Sequence, residues 1–306
     1  MKFEVRSTEV LQYFVLRTSD FELLTSNFSM PAVTPTLALI IFAAGAVAGS
    51  TGALLGLGGG IFLVPFLNLG LGFPIAMAAA ISLTTVIATS SSVTAGRAGM
   101  NLMNFRFGML LEVATAAGSV LGGITAQLVA QTTLQRLFAF VTGAVAVVTI
   151  ARSTQRNVIT DPRVDPGRLG GRFFDAETGA TVVYRIRRLP LAVVVSFIAG
   201  NVSSLLGIGG GFMKVPVLNA WCGMPLRAAA ATSAFMIGVT ATGGAIIYYG
   251  NGQLQPVAAA AAILGVQAGS WLGLRASPNI PVRVLKLLLA AVLGSISLLM
   301  LTRGGR

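Results

Sequence analysis

The sequence predicts an all-α polytopic membrane protein made of two homologous repeats of about four transmembrane helices each, with Gly/Pro-broken membrane segments. Three observations carry this. Hydrophobic residues make up 55% of the chain and charged residues only 10%, with a mean hydropathy of +0.83, whereas a soluble domain carries about 25% charged residues. The apolar residues fall in runs of 18 or more, long enough to cross a bilayer core of about 30 Å and unlike the short alternating strands of an outer-membrane barrel. The third observation is a register of 151 residues that links the two halves of the chain.

The elements follow in order. Residues 1–35 mix both charge signs and lack the basic start and short apolar core of a signal peptide, so they read as an N-terminal extension. Hydropathy then gives eight spans, at 36–56, 74–96, 106–130, 133–151, 190–207, 225–248, 256–275 and 282–302. The first four form transmembrane repeat 1 (36–151) and the last four lie in transmembrane repeat 2 (190–306). Between them, 152–189 is a hydrophilic linker with eight arginines, which the positive-inside rule places in the cytoplasm. Within it, RFFDAETGATVVYRI reads as two short strands about a turn at Glu177-Thr178-Gly179. Four crossings per repeat would put the N-terminus on the linker's side; an odd number would invert the halves.

Segments 57–73 and 208–224 are apolar but broken. Gly56-Leu57-Gly58-Gly59-Gly60 precedes IFLVPFLN and Gly72-Phe73-Pro74; Gly207-Ile208-Gly209-Gly210-Gly211 precedes FMKVPVLN and Gly223-Met224-Pro225. Every counterpart lies 151 residues on, and the register extends to Ser82/Ser233, Thr89/Thr240, Gly99/Gly250 and the distant pairs Gly118/Gly269 and Gly122/Gly273. A register held without a gap for that long indicates a duplicated unit. Interrupted segments at matching places in two halves point to a transport site, because irregular backbone at membrane depth must be buried in protein or line a cavity.

The candidate binding residues come from these segments. Gly58, Gly59 and Gly60, with Gly209, Gly210 and Gly211, can turn successive amides toward one ligand as an anion-binding nest, or can allow close helix packing. The side-chain amides of Asn68 and Asn219 can donate to an oxyanion or satisfy the broken backbone beside them. Ser82 and Ser233 are the ligand candidates in a hydroxyl-rich stripe whose other members bond back to their own helices. Glu112 is the single acidic residue inside a span. That makes it the candidate coupling group, unless it reaches the interface or pairs with Arg106 or Arg97. Lys214 replaces Leu63 of the first signature; it can attract an anion or extend toward the headgroups, and Arg227 carries the same two readings. Gly118/Gly122 and Gly269/Gly273 are most simply packing motifs.

Other chemistries are excluded or disfavoured. The net charge of +12 sits mostly in loops, as positive-inside topology requires, so no nucleic-acid partner is expected. Without histidine and with Cys222 alone, no intrachain disulfide, histidine ligand or cysteine cluster can form. No catalytic residue or metal site is expected, and neither glycine signature continues into the Gly-Lys-Ser/Thr of a P-loop.

On GLGGGIFLVPFLN with Gly72-Phe73-Pro74 and AAAIS, and GIGGGFMKVPVLN with Gly223-Met224-Pro225 and AAATS, the chain resembles the sulfite exporter TauE/SafE family, also called the toluene-sulfonate uptake permease family. The resemblance covers roughly 36–151 and 190–302. It implies a non-enzymatic permease of the inner or plasma membrane that carries sulfite, sulfonates or related anions, without a metal or organic cofactor. The partners expected are the small anion and the lipid bilayer, and a homo-oligomer is compatible with this reading. Two rivals are a transporter of a non-anionic metabolite and a non-transporting membrane assembly factor that docks through the basic linker. A cation site would want several intramembrane carboxylates, and the spans offer Glu112 alone.

Overall fold

The computed structural model describes residues 33–97, 99, 101–151, 165–175, 179–276 and scattered positions between 284 and 298. Residues 1–32 of the 1–35 extension, much of the linker and most of the 282–302 span lie outside these. Among the described residues, six helices are long and apolar enough to cross a membrane. They are α1 (Pro35–Leu55), α3 (Ile75–Gly96), α4 (Phe105–Leu128), α6 (Leu189–Leu206), α8 (Leu226–Gly250) and α9 (Pro256–Ala276). α5 (Gln131–Ala151) has similar length. Large apolar side chains such as Leu39, Val47, Met109, Val113, Leu128 and Leu264 stand exposed on the outside of this bundle, the arrangement a lipid solvent requires. The protein is therefore an all-α multi-pass membrane protein with a small β-hairpin.

Two short helices interrupt the long ones. α2 (Gly60–Pro65) runs into a π-helical turn at Phe66–Gly70, and α7 (Gly211–Ala220) has Pro216 inside it. Each follows a glycine turn at the end of a long helix. Gly56 and Gly207 close α1 and α6 in the left-handed conformation, at φ 71° and 73°, and each amide bonds the carbonyl four residues back. Gly58, Gly59, Gly209 and Gly210 also have positive φ, a conformation glycine adopts without steric cost.

Close packing of small residues sets the long-helix contacts. A Cβ on Gly118 or Gly122 of α4 would overlap the Phe197 or Asn201 carbonyl of α6, and one on Gly200 would overlap that of Thr115. On the other side, Gly265, Gly269 and Gly273 of α9 press on the Phe42, Ala46 and Ser50 carbonyls of α1. Both interfaces are thus backbone-to-backbone, as small residues permit in lipid.

α3 and α8 cross the centre antiparallel. The Ser90 hydroxyl donates to the Ala234 carbonyl at 2.6 Å, while Leu83 reaches Gly244. The start of α8 therefore lies beside the end of α3. The hairpin sits at that same end. Strands β1 (Gly171–Asp175) and β2 (Ala180–Tyr184) pair antiparallel, and Phe173, Val182 and Tyr184 pack in one cluster with Cys222, Met224, Ala228 and Ala229. Asn104 ties this end together: its amide nitrogen bonds the Leu169 carbonyl and Tyr184 hydroxyl, and its backbone N–H donates to Thr232.

Candidate functional site

The two glycine turns, far apart in sequence, meet at the centre of the bundle. A Cβ on Gly60 would come within 3.0 Å of the Gly207 carbonyl, and one on Gly211 within 2.5 Å of the Gly56 carbonyl. The Ser82 hydroxyl of α3 donates to the Gly207 carbonyl at 2.6 Å, so each half reaches into the other's turn. Gly58, Gly59, Gly60, Gly209, Gly210 and Gly211 are all buried. Among the described residues, none of their six amides donates to another protein group. These are consecutive donors in the left-handed and helical conformations that form an anion nest.

Two apolar side chains close the space between the turns. Val86 of α3 lies against the places a Cβ would occupy on Gly58, Gly60 and Gly209, and Ile237 of α8 lies against that on Gly58. These residues are themselves 151 positions apart. Ser233 behaves differently from Ser82. Its hydroxyl is fully buried and, among the described residues, has no hydrogen-bond partner, although it lies 3.3 Å from the position of a Cβ on Gly211. A buried hydroxyl left without a partner carries a desolvation cost of about 1–3 kcal/mol.

The asparagines brace turns. Asn68 and Asn219 each donate from the side-chain amide, to the carbonyls of Phe73 and Met224, at 2.8 Å in both cases. Gln135 of α5 donates in turn to the Asn68 carbonyl oxygen at 2.8 Å. Of the two sequence readings, satisfaction of the broken backbone is the geometry found.

Glu112 and Lys214 find each other. Lys214 lies on the first turn of α7, where its backbone N–H bonds the Gly210 carbonyl. Its ammonium donates to the Thr240 hydroxyl at 3.1 Å, and Thr240 donates to Glu112 Oε1 at 2.8 Å. The ammonium and Glu112 Oε2 are 3.8 Å apart. Lys214 is 2% exposed and Glu112 8%, so Lys214 does not extend to the headgroups, and Glu112 pairs with neither Arg106 nor Arg97. This links α4, α7 and α8 at membrane depth. The positions related to these by the 151-residue register, Leu63, Ile263 and Thr89, hold no ionisable group.

Sequence reasoning missed Tyr248 and named Arg97 only as a partner for Glu112, not for the role it has. The Arg97 guanidinium donates to the Ala53 carbonyl near the end of α1, at 2.9 Å. The Tyr248 hydroxyl donates to the Ser204 and Leu205 carbonyls near the end of α6, at 3.2 and 3.1 Å. Tyr248 is 151 residues after Arg97, and Ser204 is 151 after Ala53. The shared register was the available signal, but the change of residue type hides it.

The family model described as sulfite exporter TauE/SafE matches residues 41–300. Among similar proteins, "Probable membrane transporter protein YunE" of Bacillus subtilis is 24% identical over 83% of this chain and 94% of its own length. "Probable membrane transporter protein MJ0441" of Methanocaldococcus jannaschii is 24% identical over 90% of this chain and 98% of its own. "Sulfite exporter TauE/SafE family protein 6" of Arabidopsis thaliana is 45% identical over a 58-residue stretch, 19% of this chain and 13% of that protein. No solved structure matches the chain.

Proposed function

The chain belongs to the sulfite exporter TauE/SafE family and is a membrane transporter; from that premise we propose that it is a permease for small sulfur-containing anions such as sulfite or a sulfonate, working in the inner or plasma membrane. The observation that carries the reading is the meeting of two glycine turns whose amides have no protein acceptor, beside the unpartnered Ser233 hydroxyl. An oxyanion that leaves water for this depth needs fixed donors in exchange. Backbone amides and a hydroxyl supply them in a preorganised array without a permanent buried charge.

Residues 36–151 and 190–306 act in this reading as two copies of one unit, inverted relative to each other. The antiparallel crossing of α3 and α8 supports the inversion, as do the matched glycine contacts of α4 on α6 and α9 on α1. α2 and α7 reverse the chain partway through the membrane, so each unit contributes an odd number of passages. Substrate between the turns is exposed alternately to either side as one set of helices rocks against the other. Val86 and Ile237 form the apolar seal that this motion opens. Glu112 is the coupling group: a proton arriving on its carboxylate releases Lys214 from the pair and frees α7, which carries the second glycine turn. The 152–189 linker, with its hairpin end of the bundle, faces the cytoplasm.

The test is flux. Purified protein in liposomes is given sulfite, an alkyl sulfonate, a neutral metabolite and a monovalent cation as alternatives. Saturable uptake of the sulfur oxyanions alone is expected. Saturable uptake of the neutral solute or the cation, with none of the oxyanions, would overturn the assignment.

A further inference from the structure

Several buried hydroxyls of the bundle are spent on their own helices. Thr85, Thr89, Thr115 and Thr142 each donate to a carbonyl three or four residues back, the usual resolution for a hydroxyl in an apolar helix. Among the described residues, three buried serine hydroxyls make no such bond and have no other partner: Ser203, Ser204 and Ser233. All three residues are fully buried, and all belong to the second half. Their counterparts 151 residues earlier are Gly52, Ala53 and Ser82. Of these only Ser82 has a hydroxyl, and it is spent on the Gly207 carbonyl.

Ser203 and Ser233 flank the second glycine turn, and Ser204 does not. The Ser203 Oγ lies 3.3 Å from where a Cβ would stand on Gly210, and the Ser233 Oγ lies 3.3 Å from where one would stand on Gly211. The Ser204 Oγ lies instead against Gly123 of α4 and Gly244 of α8, in the packing of the long helices. The Ser203 carbonyl accepts the Gly207 and Ile208 amides, so its backbone fixes the residue to the turn while its hydroxyl stays uncommitted. At the first turn the same place cannot hold a side chain, because a Cβ on Gly52 would overlap the Gly59 nitrogen. That turn packs directly on α1. The second turn also opens α7, a ten-residue helix, and the amide end of a helix favours an anion.

We propose that the two turns divide the work. The second binds the anion, with the Ser203 and Ser233 hydroxyls as side-chain ligands beside the Gly210 and Gly211 amides, and the first packs on α1 and closes the space opposite. The proposal rests on the reading of the protein as an oxyanion permease and makes Ser203 a further substrate-binding residue. Its ligand class is a small oxyanion with several oxygens at one end, such as sulfite or the headgroup of a sulfonate. Bound there, the oxyanion gives both hydroxyls the partner that a buried hydroxyl requires. All of these donors come from α6, α8 and the turn between α6 and α7, so a single half of the duplicated chain holds the substrate.

The test compares neighbouring serines. Sulfite would be titrated calorimetrically into the detergent-purified protein at fixed chloride, for wild type, Ser203→Ala, Ser203→Cys and Ser204→Ala, with melting recorded on the same preparations. Ser204→Ala removes an equally buried, unpartnered hydroxyl away from the turn, so it should bind sulfite as wild type does. Ser203→Ala should bind about tenfold more weakly, the loss of one hydrogen bond to a charged ligand, with undiminished melting in the absence of sulfite. Ser203→Cys keeps a side chain of similar shape with only a weak donor and should be weakened as well, which separates a lost donor from lost packing. Wild-type affinity in either Ser203 variant would overturn the assignment, and so would equal losses in Ser203→Ala and Ser204→Ala; continued sulfite flux into liposomes would then leave the permease reading standing. A wild type that neither binds nor carries sulfur oxyanions would remove both. Ser203-dependent binding in a protein that carries none of them would leave this site standing and remove the transport assignment.

Discussion

Lys214 of the second half and Glu112 of the first lie 3.8 Å apart in the interior, bridged through Thr240. Removal of one partner from a buried pair leaves an uncompensated charge and costs about 3–5 kcal/mol. Glu112→Gln should therefore lower the melting temperature, and Glu112→Gln with Lys214→Met should recover most of the loss. Both variants should lose uptake driven by a proton gradient while retaining substrate exchange without one. Accumulation against a gradient by Glu112→Gln would leave this carboxylate as a structural residue.

The glycines should rank by what stands where a side chain would go. Gly122→Ala drives a methyl into the Asn201 carbonyl. Gly59→Ala places one 2.8 Å from the Ala48 carbonyl at φ +76°, and Gly210→Ala places one 3.1 Å from the Ala199 carbonyl at φ +73°. All three should cost more than the ~1 kcal/mol of intrinsic propensity. Thermal melts are expected to fall furthest for Gly122→Ala, then Gly59→Ala, then Gly210→Ala. An alanine at 59 tolerated without loss would contradict the close approach of that turn to α1. Because packing alone makes these variants costly, a fall in affinity in them does not by itself locate substrate.

Much of this was legible in the chain, and the limits have physical causes. Apolar runs mark the long helices because lipid demands them, and the 151-residue register marks both glycine turns. The GxxxG spacing on α4 and α9 marks the close interfaces, though not which helix each would meet. The pairing of Glu112 with Lys214 was not legible. It depends on α4 and α7 packing against the same helix, α8, which local pattern does not encode, so each residue alone suggested several partners. Asn68 and Asn219 were recognised as polar groups in broken backbone, but only the fold shows that each amide donates to the carbonyl five residues ahead. The bond of Arg97 to the end of α1 escaped because its counterpart is a tyrosine.

Cys222 should be silent to thiol reagents, which makes the chain suitable for topology mapping. It is fully buried, and burial pushes its thiol up to about 11, with Arg188 offsetting part of that rise. The thiolate is the reactive form, so maleimide should not label the native protein at neutral pH. The exposed Arg168 beside the hairpin provides the test position. In Arg168→Cys, an impermeant maleimide should react only after the cytoplasmic face is opened. Reaction from outside intact cells would reverse the orientation.

Ser233 gives the most direct measure of whether substrate binds between the glycine turns. Its hydroxyl is buried at the meeting point and has no protein partner, whereas Ser82 spends its own on the Gly207 carbonyl. Ser82→Ala should lower stability by about 1–3 kcal/mol, because it leaves that buried carbonyl unpaired. Ser233→Ala should leave the melting temperature unchanged or slightly raised. The measurement is sulfite affinity in liposome counterflow for Ser233→Ala, with melting recorded on the same preparation. The account predicts an affinity about tenfold weaker, the loss of one hydrogen bond to a charged ligand, at undiminished stability. Wild-type affinity in a fully folded Ser233→Ala protein would contradict it and move the substrate away from the glycine turns.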